Sequence, residues 1–143
     1  MLRSAIFALV LLAAPAARAQ DGAASLTIEI GNLAPHGVIL LQLFDSEAGY
    51  SGGEAVGGRQ VTVDGATATV SFEGLTPGQY AFRLFHDLDG DNELDTNPFG
   101  IPTEPFAFSN NARGRFGPAS WADAAFTLSA GQNVQQIEVG GAF

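Results

Sequence analysis

The sequence has no cysteine and no lysine, and its only methionine is Met1. Without cysteine there can be no disulfide staple, no thiolate metal centre and no lipid attached to an N-terminal cysteine. Positive charge is scarce, with six basic residues against fifteen acidic ones. A chain with so little Arg and no Lys cannot neutralise a phosphate backbone, which excludes nucleic acid as a partner. Only two histidines occur, His36 and His86, which argues against transition-metal catalysis. No Asn-x-Ser/Thr acceptor is present, as expected of a bacterial exported protein. Long apolar runs are also missing after residue 20. The longest, residues 38–44, is interrupted by Gln42 and is too short for a membrane helix.

The first twenty residues follow the pattern of a secretory leader. Arg3 supplies a positive start, residues 5–14 a short apolar core, and Ala17, Arg18 and Ala19 an A-x-A cleavage site. We expect residues 1–19 to be a signal peptide, with a mature chain of residues 20–143 in the bacterial periplasm or medium and no lipid anchor. Cleavage removes two arginines and no acid, leaving four basic residues against fifteen acidic ones, a formal charge of −11. The remaining length suits one domain.

Seven short segments rich in Val, Ile, Leu, Thr and Phe lie between Gly, Pro, Asn and Asp punctuation and are expected to be strands. They are residues 26–30, 38–45, 60–64, 67–72, 79–87, 124–128 and 134–139. Gly65 marks an expected hairpin, residues 46–58 a soft Gly-rich loop, and no helical periodicity follows the leader. The pattern predicts an all-β fold, a single seven-stranded Greek-key β-sandwich of transthyretin or immunoglobulin type. Two segments are apolar on both faces. Val38, Leu40 and Phe44 oppose Ile39, Leu41 and Leu43, while Tyr80, Phe82 and Leu84 oppose Ala81 and Phe85. One core uses one face, so something must cover the other. The irregular segment 88–122 carries Phe99, Ile101, Phe106, Phe108, Phe116 and Trp121 between prolines. It is expected to fold over one sheet as an ordered cap.

The densest chemical signal is the run from His86 to Asp95, where Asp87, Asp89, Asp91, Glu93 and Asp95 alternate with other residues. Unit charges about 5 Å apart repel by roughly 0.8 kcal/mol per pair even in water. A hard cation with oxygen ligands offsets that, and carboxylates at relative positions 1, 3, 5 and 9 match a calcium loop. The match is incomplete. Asn92 stands where a calcium loop of the helix-loop-helix type has Gly, Pro98 stands where it has a bidentate Glu, and the preceding segment is a strand. Glu104 is the nearest acid able to complete the set. The expected metal residues are thus Asp87, Asp89, Asp91, Glu93, Asp95 and Glu104, with Ca2+ as the ion and a solvated acidic turn as the alternative.

Residues 85–121 combine His86-Asp87, an Asn/Asp/Gly-rich turn, Leu94-Asp95-Thr96-Asn97, Gly100-Ile101-Pro102, Ser109-Asn110-Asn111 and Gly117-Pro118. This combination resembles the bacterial secreted domain-of-unknown-function family 2141, strongly over residues 72–126. The chain departs from the family's pattern at Gly90-Asp91-Asn92, Ala119 and Trp121. The resemblance implies a small exported sandwich and carries no reaction with it. A looser resemblance links residues 72–80, with Pro77, Gly78 and Tyr80, to the corner of transthyretin-like and carboxypeptidase-regulatory sandwiches, where the tyrosine hydroxyl ties the turn. The purine-pathway hydrolases of the transthyretin fold need several active-site histidines, which this chain does not have.

His86 with Ser109 or Ser120 invites a hydrolytic reading, but no nucleophile elbow surrounds either serine. The expected roles are a strand-end histidine bonded to backbone and a turn-capping Asn110-Asn111 pair. Arg113 and Arg115 are the local positive charge available to neutralise the acidic loop or grip an anion. Trp121 packs in the cap or offers a stacking face. His86, Asn110, Asn111, Arg113, Arg115 and Trp121 are the candidate ligand-binding residues. The function expected from sequence is an exported, calcium-stabilised, non-catalytic module for a protein or glycan ligand. The alternative is a hydrolase of glycans or esters at the capped face.

Overall fold

Alternation decides the first strand. In β1, Ala24–Gly31, the side chains of Ala24, Leu26, Ile28 and Ile30 are buried while Glu29 is exposed, the period-two pattern of a half-buried strand. The computed structural model describes residues 22–141, and the expected leader lies outside them. Seven further strands follow: β2 Val38–Phe44, β3 Gly57–Thr62, β4 Ala68–Leu75, β5 Gly78–Asp87, β6 Phe106–Phe108, β7 Phe126–Leu128 and β8 Gly131–Glu138. Two short helices interrupt them, α1 Glu47–Gly52 and α2 Trp121–Ala124, and a 3-10 turn spans Ser109–Asn111.

The strands form two sheets. One has the order β4-β1-β8; the other runs β3-β2-β5-β6, with β7 pairing a different stretch of β5 from β6. All pairings are antiparallel except β1 with β8, which run parallel in register from Ala24 beside Gly131 to Gly31 beside Glu138. Between the sheets, Leu26, Ile28, Ile30, Phe72 and Ile137 meet Ile39, Leu41, Leu43, Phe82 and Leu84. Each such side chain contributes about 1.5–3 kcal/mol when fully buried. The Tyr80 hydroxyl donates to the Thr76 carbonyl at 2.7 Å and ties the corner before β5.

Several sequence expectations change. The described residues hold eight strands, not seven. The expected hairpin at Gly65 is a crossover: β3 pairs with β2 in one sheet, and β4 pairs with β1 in the other. Buried Val63 donates its N–H to the Gly37 carbonyl, and the Ala66 carbonyl accepts from Leu33, so the connection is held by the chain it crosses. The expected soft loop contains α1, whose N-cap Ser46 accepts the Gly49 N–H at 3.1 Å. Six residues are too few for helical periodicity to register.

The cap also differs from expectation. Phe106 and Phe108 do not lie over the sheet but extend it as β6. A second apolar cluster of Phe44, Tyr50, Ala81, Phe108, Ala119 and Ala124 covers one end of the outer face of the β3-β2-β5-β6 sheet, with Trp121 packed against it. Its centre is an aromatic stack, Phe44 on Tyr50 at 5.4 Å and Tyr50 on Trp121 at 5.8 Å. The Tyr50 hydroxyl donates to the Ala119 carbonyl at 2.8 Å. The other end of that face is not closed over.

Candidate functional site

The acidic loop begins where β5 ends. Asp87 and Glu104 are buried, while Asp89, Asp91 and Glu93 are exposed. Asp87 accepts the backbone N–H of Gly90 at 2.7 Å on one oxygen and that of Asn92 at 2.9 Å on the other. Gly90 and Asn92 both have positive φ, 82° and 63°, which turns the loop back over the carboxylate. Burial pushes the Asp87 carboxyl up, but the N–H groups of Asn92 and Gly90, together with hydrogen bonding from Asp89, outweigh it and hold the group below its ordinary value. Glu104 performs the same task from the far side, accepting Leu88 N–H at 2.8 Å and Asp95 N–H at 3.2 Å.

The expected metal residues separate into those that converge and one that does not. Carboxylate oxygens of Asp87, Asp89 and Asp91 lie within 4.8 Å of one another, as do those of Asp89, Asp95 and Glu104. Asp89 belongs to both groups. Oxygens on opposite sides of a calcium ion, each about 2.3–2.6 Å from it, are separated by about 5 Å, so either group could share one ion. The Asp91 N–H lowers the Asp89 carboxyl, but burial and the charges of Asp91 and Asp95 outweigh it and raise the group. Asp89 therefore sits between like charges, those of Asp91 and Asp95. Glu93 belongs to neither group; its contribution is a backbone N–H given to Asp91 at 2.8 Å.

Beyond the acidic turn the chain makes a narrow finger. Thr96 bridges Pro102, Thr103 N–H donates to the Asp95 carbonyl at 2.8 Å, and Asn97 accepts the N–H groups of Phe99 and Ile101 at 2.9 and 3.0 Å. Phe99 at the tip is 88% exposed. A second projection, residues 112–118, carries Phe116 fully exposed with a left-handed φ of 58°. Gly114 is required there, since a Cβ would run into the Gly117 carbonyl.

Between the finger, this projection and the open end of the sheet lies a groove of about 1540 Å³. Leu40 and Gln42 of β2, Arg83 and Phe85 of β5, and Phe106 of β6 line it, with Leu94, Phe99, Ile101, Arg113, Arg115 and Phe116 from the loops. The outer-facing apolar residues that the sequence left without a partner, Leu40 and Phe85, lie here. Arg83 is held by its Nε–H donated to Gln42 Oε1 at 3.0 Å and by stacking over Phe44 at 4.9 Å.

The remaining candidates are placed as follows. His86 is buried, with Nε2 2.6 Å from the His36 carbonyl oxygen and no partner for Nδ1 among the described residues. Asn110 donates to the carbonyls of Asp123, Ala124 and Ala125. Asn111 accepts Glu138 N–H at 3.0 Å and donates to the Gln136 carbonyl at 3.2 Å, taking the place of a strand at the edge of β8. Ser109 is fully buried, its hydroxyl accepting Phe82 N–H at 3.0 Å and lying 2.6 Å from the Ala124 carbonyl. Ser120 caps α2 through Asp123 N–H at 3.2 Å. Neither serine bonds His86. Arg113 and Arg115 line the groove, whereas Trp121 packs on Tyr50 away from it. The lining residues Arg83, Phe85 and Phe106 were not expected from sequence as a site. Their signal was the second apolar face of the strands.

Comparison with known families places this architecture. Residues 28–136 match the family described as "Uncharacterized protein conserved in bacteria (DUF2141)". The chain belongs to this family. The match takes in the acidic loop, the finger and most of the residues that line the groove of this DUF2141 member. No curated protein matches the chain. No solved structure matches it either.

Proposed function

We propose that the chain is an exported, non-catalytic binding module of the bacterial envelope, with calcium held in the acidic loop and the outer-face groove as its binding surface. We assign it, as part of the same reading, to the Greek-key sandwiches of transthyretin or immunoglobulin type. The observation that carries the reading is the groove: one end of a sheet face is sealed by α1, α2 and their aromatic stack, and the other is left open with apolar side chains around it. Exposed apolar surface of this extent marks a place where something binds. The serines support the non-catalytic part: Ser109 is buried on backbone partners, Ser120 is committed to the N-cap of α2 through Asp123 N–H and donates to the Asp123 carboxylate at 2.8 Å, and neither bonds His86.

Calcium is proposed for Asp87, Asp89, Asp91, Asp95 and Glu104. The backbone N–H groups that Asp87 and Glu104 accept leave oxygen lone pairs on each for a cation. The geometry of a flexible, carboxylate-rich turn suits calcium better than magnesium, which demands a near-ideal octahedron. Calorimetric titration of residues 20–143 with each chloride is the test, together with a screen of ester and glycan substrates. Calcium heat in excess of magnesium heat, and no turnover, are expected. Equal affinity for the two ions would remove calcium. Turnover lost on Ser109→Ala or His86→Ala, with folding intact, would replace the module by a hydrolase.

A further inference from the structure

We infer that the groove binds a single long-chain anionic amphiphile of the fatty-carboxylate type. This rests on the reading of the chain as a binding module and names the chemistry of its ligand.

Charge distribution is the first argument. The chain carries fifteen acidic residues, yet among the described residues Glu138 is the only acid that lines the groove. All four arginines of the described residues, Arg59, Arg83, Arg113 and Arg115, line it. Three of them belong to the binding face. Arg59 pairs in register with core-facing Leu41 and turns its guanidinium over Phe72 at 4.2 Å and towards the Ser71 carbonyl at 3.2 Å. A strongly acidic protein has thus placed three of the four arginines of its described residues on one apolar surface. Guanidinium groups pair with carboxylates through parallel N–H donors, and the pairing strengthens where water is excluded.

Shape and lining are the second argument. The volume of about 1540 Å³ exceeds the roughly 300–1,000 Å³ of pockets for compact small molecules. Phe85, Phe99, Phe106, Phe116, Leu40 and Ile101 supply surfaces suited to methylene chains. Phe99 and Phe116 are held outward by a tight finger and by a left-handed backbone, where solvent alone gives them no stabilisation. An intact anionic bilayer is disfavoured as occupant, since the finger that rims the groove is continuous with Asp89, Asp91, Glu93 and Asp95. A second copy is disfavoured by the formal charge of −11 that residues 20–143 of each chain carry, four basic residues against fifteen acidic ones.

Calorimetry on residues 20–143 with dodecanoate, dodecyltrimethylammonium and butyrate, each below its micellar concentration, tests the inference. Dodecanoate is expected to bind one to one, with the cation of equal chain length and the short anion weaker by about a hundredfold. Arg83→Gln and Arg115→Gln should each weaken dodecanoate by about tenfold, the scale of one charge-assisted hydrogen bond, with the melting temperature unchanged in Arg115→Gln. Phe116→Ser should also weaken it, and Arg59→Gln should not. Absence of dodecanoate binding, equal binding of the cation, or equal loss in Arg59→Gln would overturn the inference. So would association into dimers in sedimentation that masks the groove, or flotation with phosphatidylglycerol vesicles without binding of monomeric dodecanoate. Methyl dodecanoate separates this from the parent reading. Its cleavage would overturn the non-catalytic module, whereas failure of dodecanoate to bind overturns the ligand class alone.

Discussion

The Glu104 carboxylate reaches back sixteen residues to accept the backbone N–H of Leu88 at 2.8 Å, and its other oxygen accepts Asp95 N–H at 3.2 Å. One buried side chain therefore closes the acidic loop at both ends, while Asp87 holds its middle through Gly90 and Asn92. The loop has a fixed shape because two carboxylates replace the strand partners that its backbone lacks.

Removing that closure should be costly. Glu104→Ala leaves partly buried N–H groups without an acceptor, a loss of about 1–3 kcal/mol. The melting midpoint should fall by roughly 5 °C or more. Glu104→Gln, which keeps one oxygen acceptor, should fall by less. Thermal denaturation of the two variants checks the order, and equal stability of Glu104→Ala and the parent would contradict the role assigned to the carboxylate.

Calcium should stabilise the loop beyond what the two buried carboxylates achieve. At a calcium concentration ten times the dissociation constant, linkage adds about 1.4 kcal/mol. Asp89→Asn and Asp95→Asn should abolish this increment, and Glu93→Gln should leave it, because Glu93 lies outside both carboxylate groups. Melting curves with and without chelator decide between these outcomes. Limited proteolysis under chelation should place new cuts in residues 88–105 before the strands yield.

Ser109→Ala should destabilise without altering any reaction. Its hydroxyl sits where β5, β6 and α2 meet, holding Phe82 N–H and the Ala124 carbonyl. Phe82 N–H would be orphaned in the interior and the Ala124 carbonyl left with the Asn110 side chain alone, at a cost of about 1–3 kcal/mol. Urea denaturation is the measurement, with Ser120→Ala as the comparison at about 1 kcal/mol for an exposed cap.

Tyr50 should set a limit on alkaline stability. Burial raises its hydroxyl above 10.0, and nearby Arg83 only partly offsets this. A group whose pKa is raised on folding contributes stability that is complete below its unfolded value. That contribution is lost as pH rises through the folded one. Stability should therefore decline above about pH 10 more steeply in the parent than in Tyr50→Phe. At neutral pH the Tyr50→Phe variant should be weaker by about 1 kcal/mol for the lost bond to Ala119. Denaturant titrations at pH 7, 9.5 and 11 would expose the crossover.

Period-two burial made most strands legible: β1, β2, β4 and β5 lie close to where Leu26, Ile39, Val70 and Phe82 placed them. Pairing was not legible. A Gly between two strand-like runs signals a hairpin when the turn has positive φ, but the Gly65 corner is set by Leu33 and Gly37 far away in sequence. Tertiary contacts overrode the local signal. Strand β6 escaped notice because three residues between Pro105 and Ser109 have no periodicity of their own, and it is the edge of β5, with a bridge from Phe106 to Gly140, that makes them a strand.

At the candidate site, spacing revealed the acidic run, since alternate carboxylates are visible one residue at a time. It could not separate Glu93 from its neighbours, because that depends on which way a turn faces. The groove was visible only as a surplus, the apolar Leu40 and Phe85 on the face that one core does not use. Its arginines come from β5 and from residues 113 and 115, and no local pattern joins them. Trp121, a plausible stacking platform by composition, is committed to Tyr50 instead.

The parallel pairing of β1 with β8 has a consequence for the timing of folding. Leu26, Ile28 and Ile30 sit in the middle strand of a three-stranded sheet whose third member, residues 131–138, is the last described strand to leave the ribosome. Until it arrives, β1 offers a bare hydrogen-bonding edge, and the sheet is a two-stranded fragment of marginal stability. Closure then joins residues more than a hundred positions apart, which makes it slow. A nascent chain of this design cannot complete the β4-β1-β8 sheet until residues 131–138 have been made, and until then one side of β1 stays open.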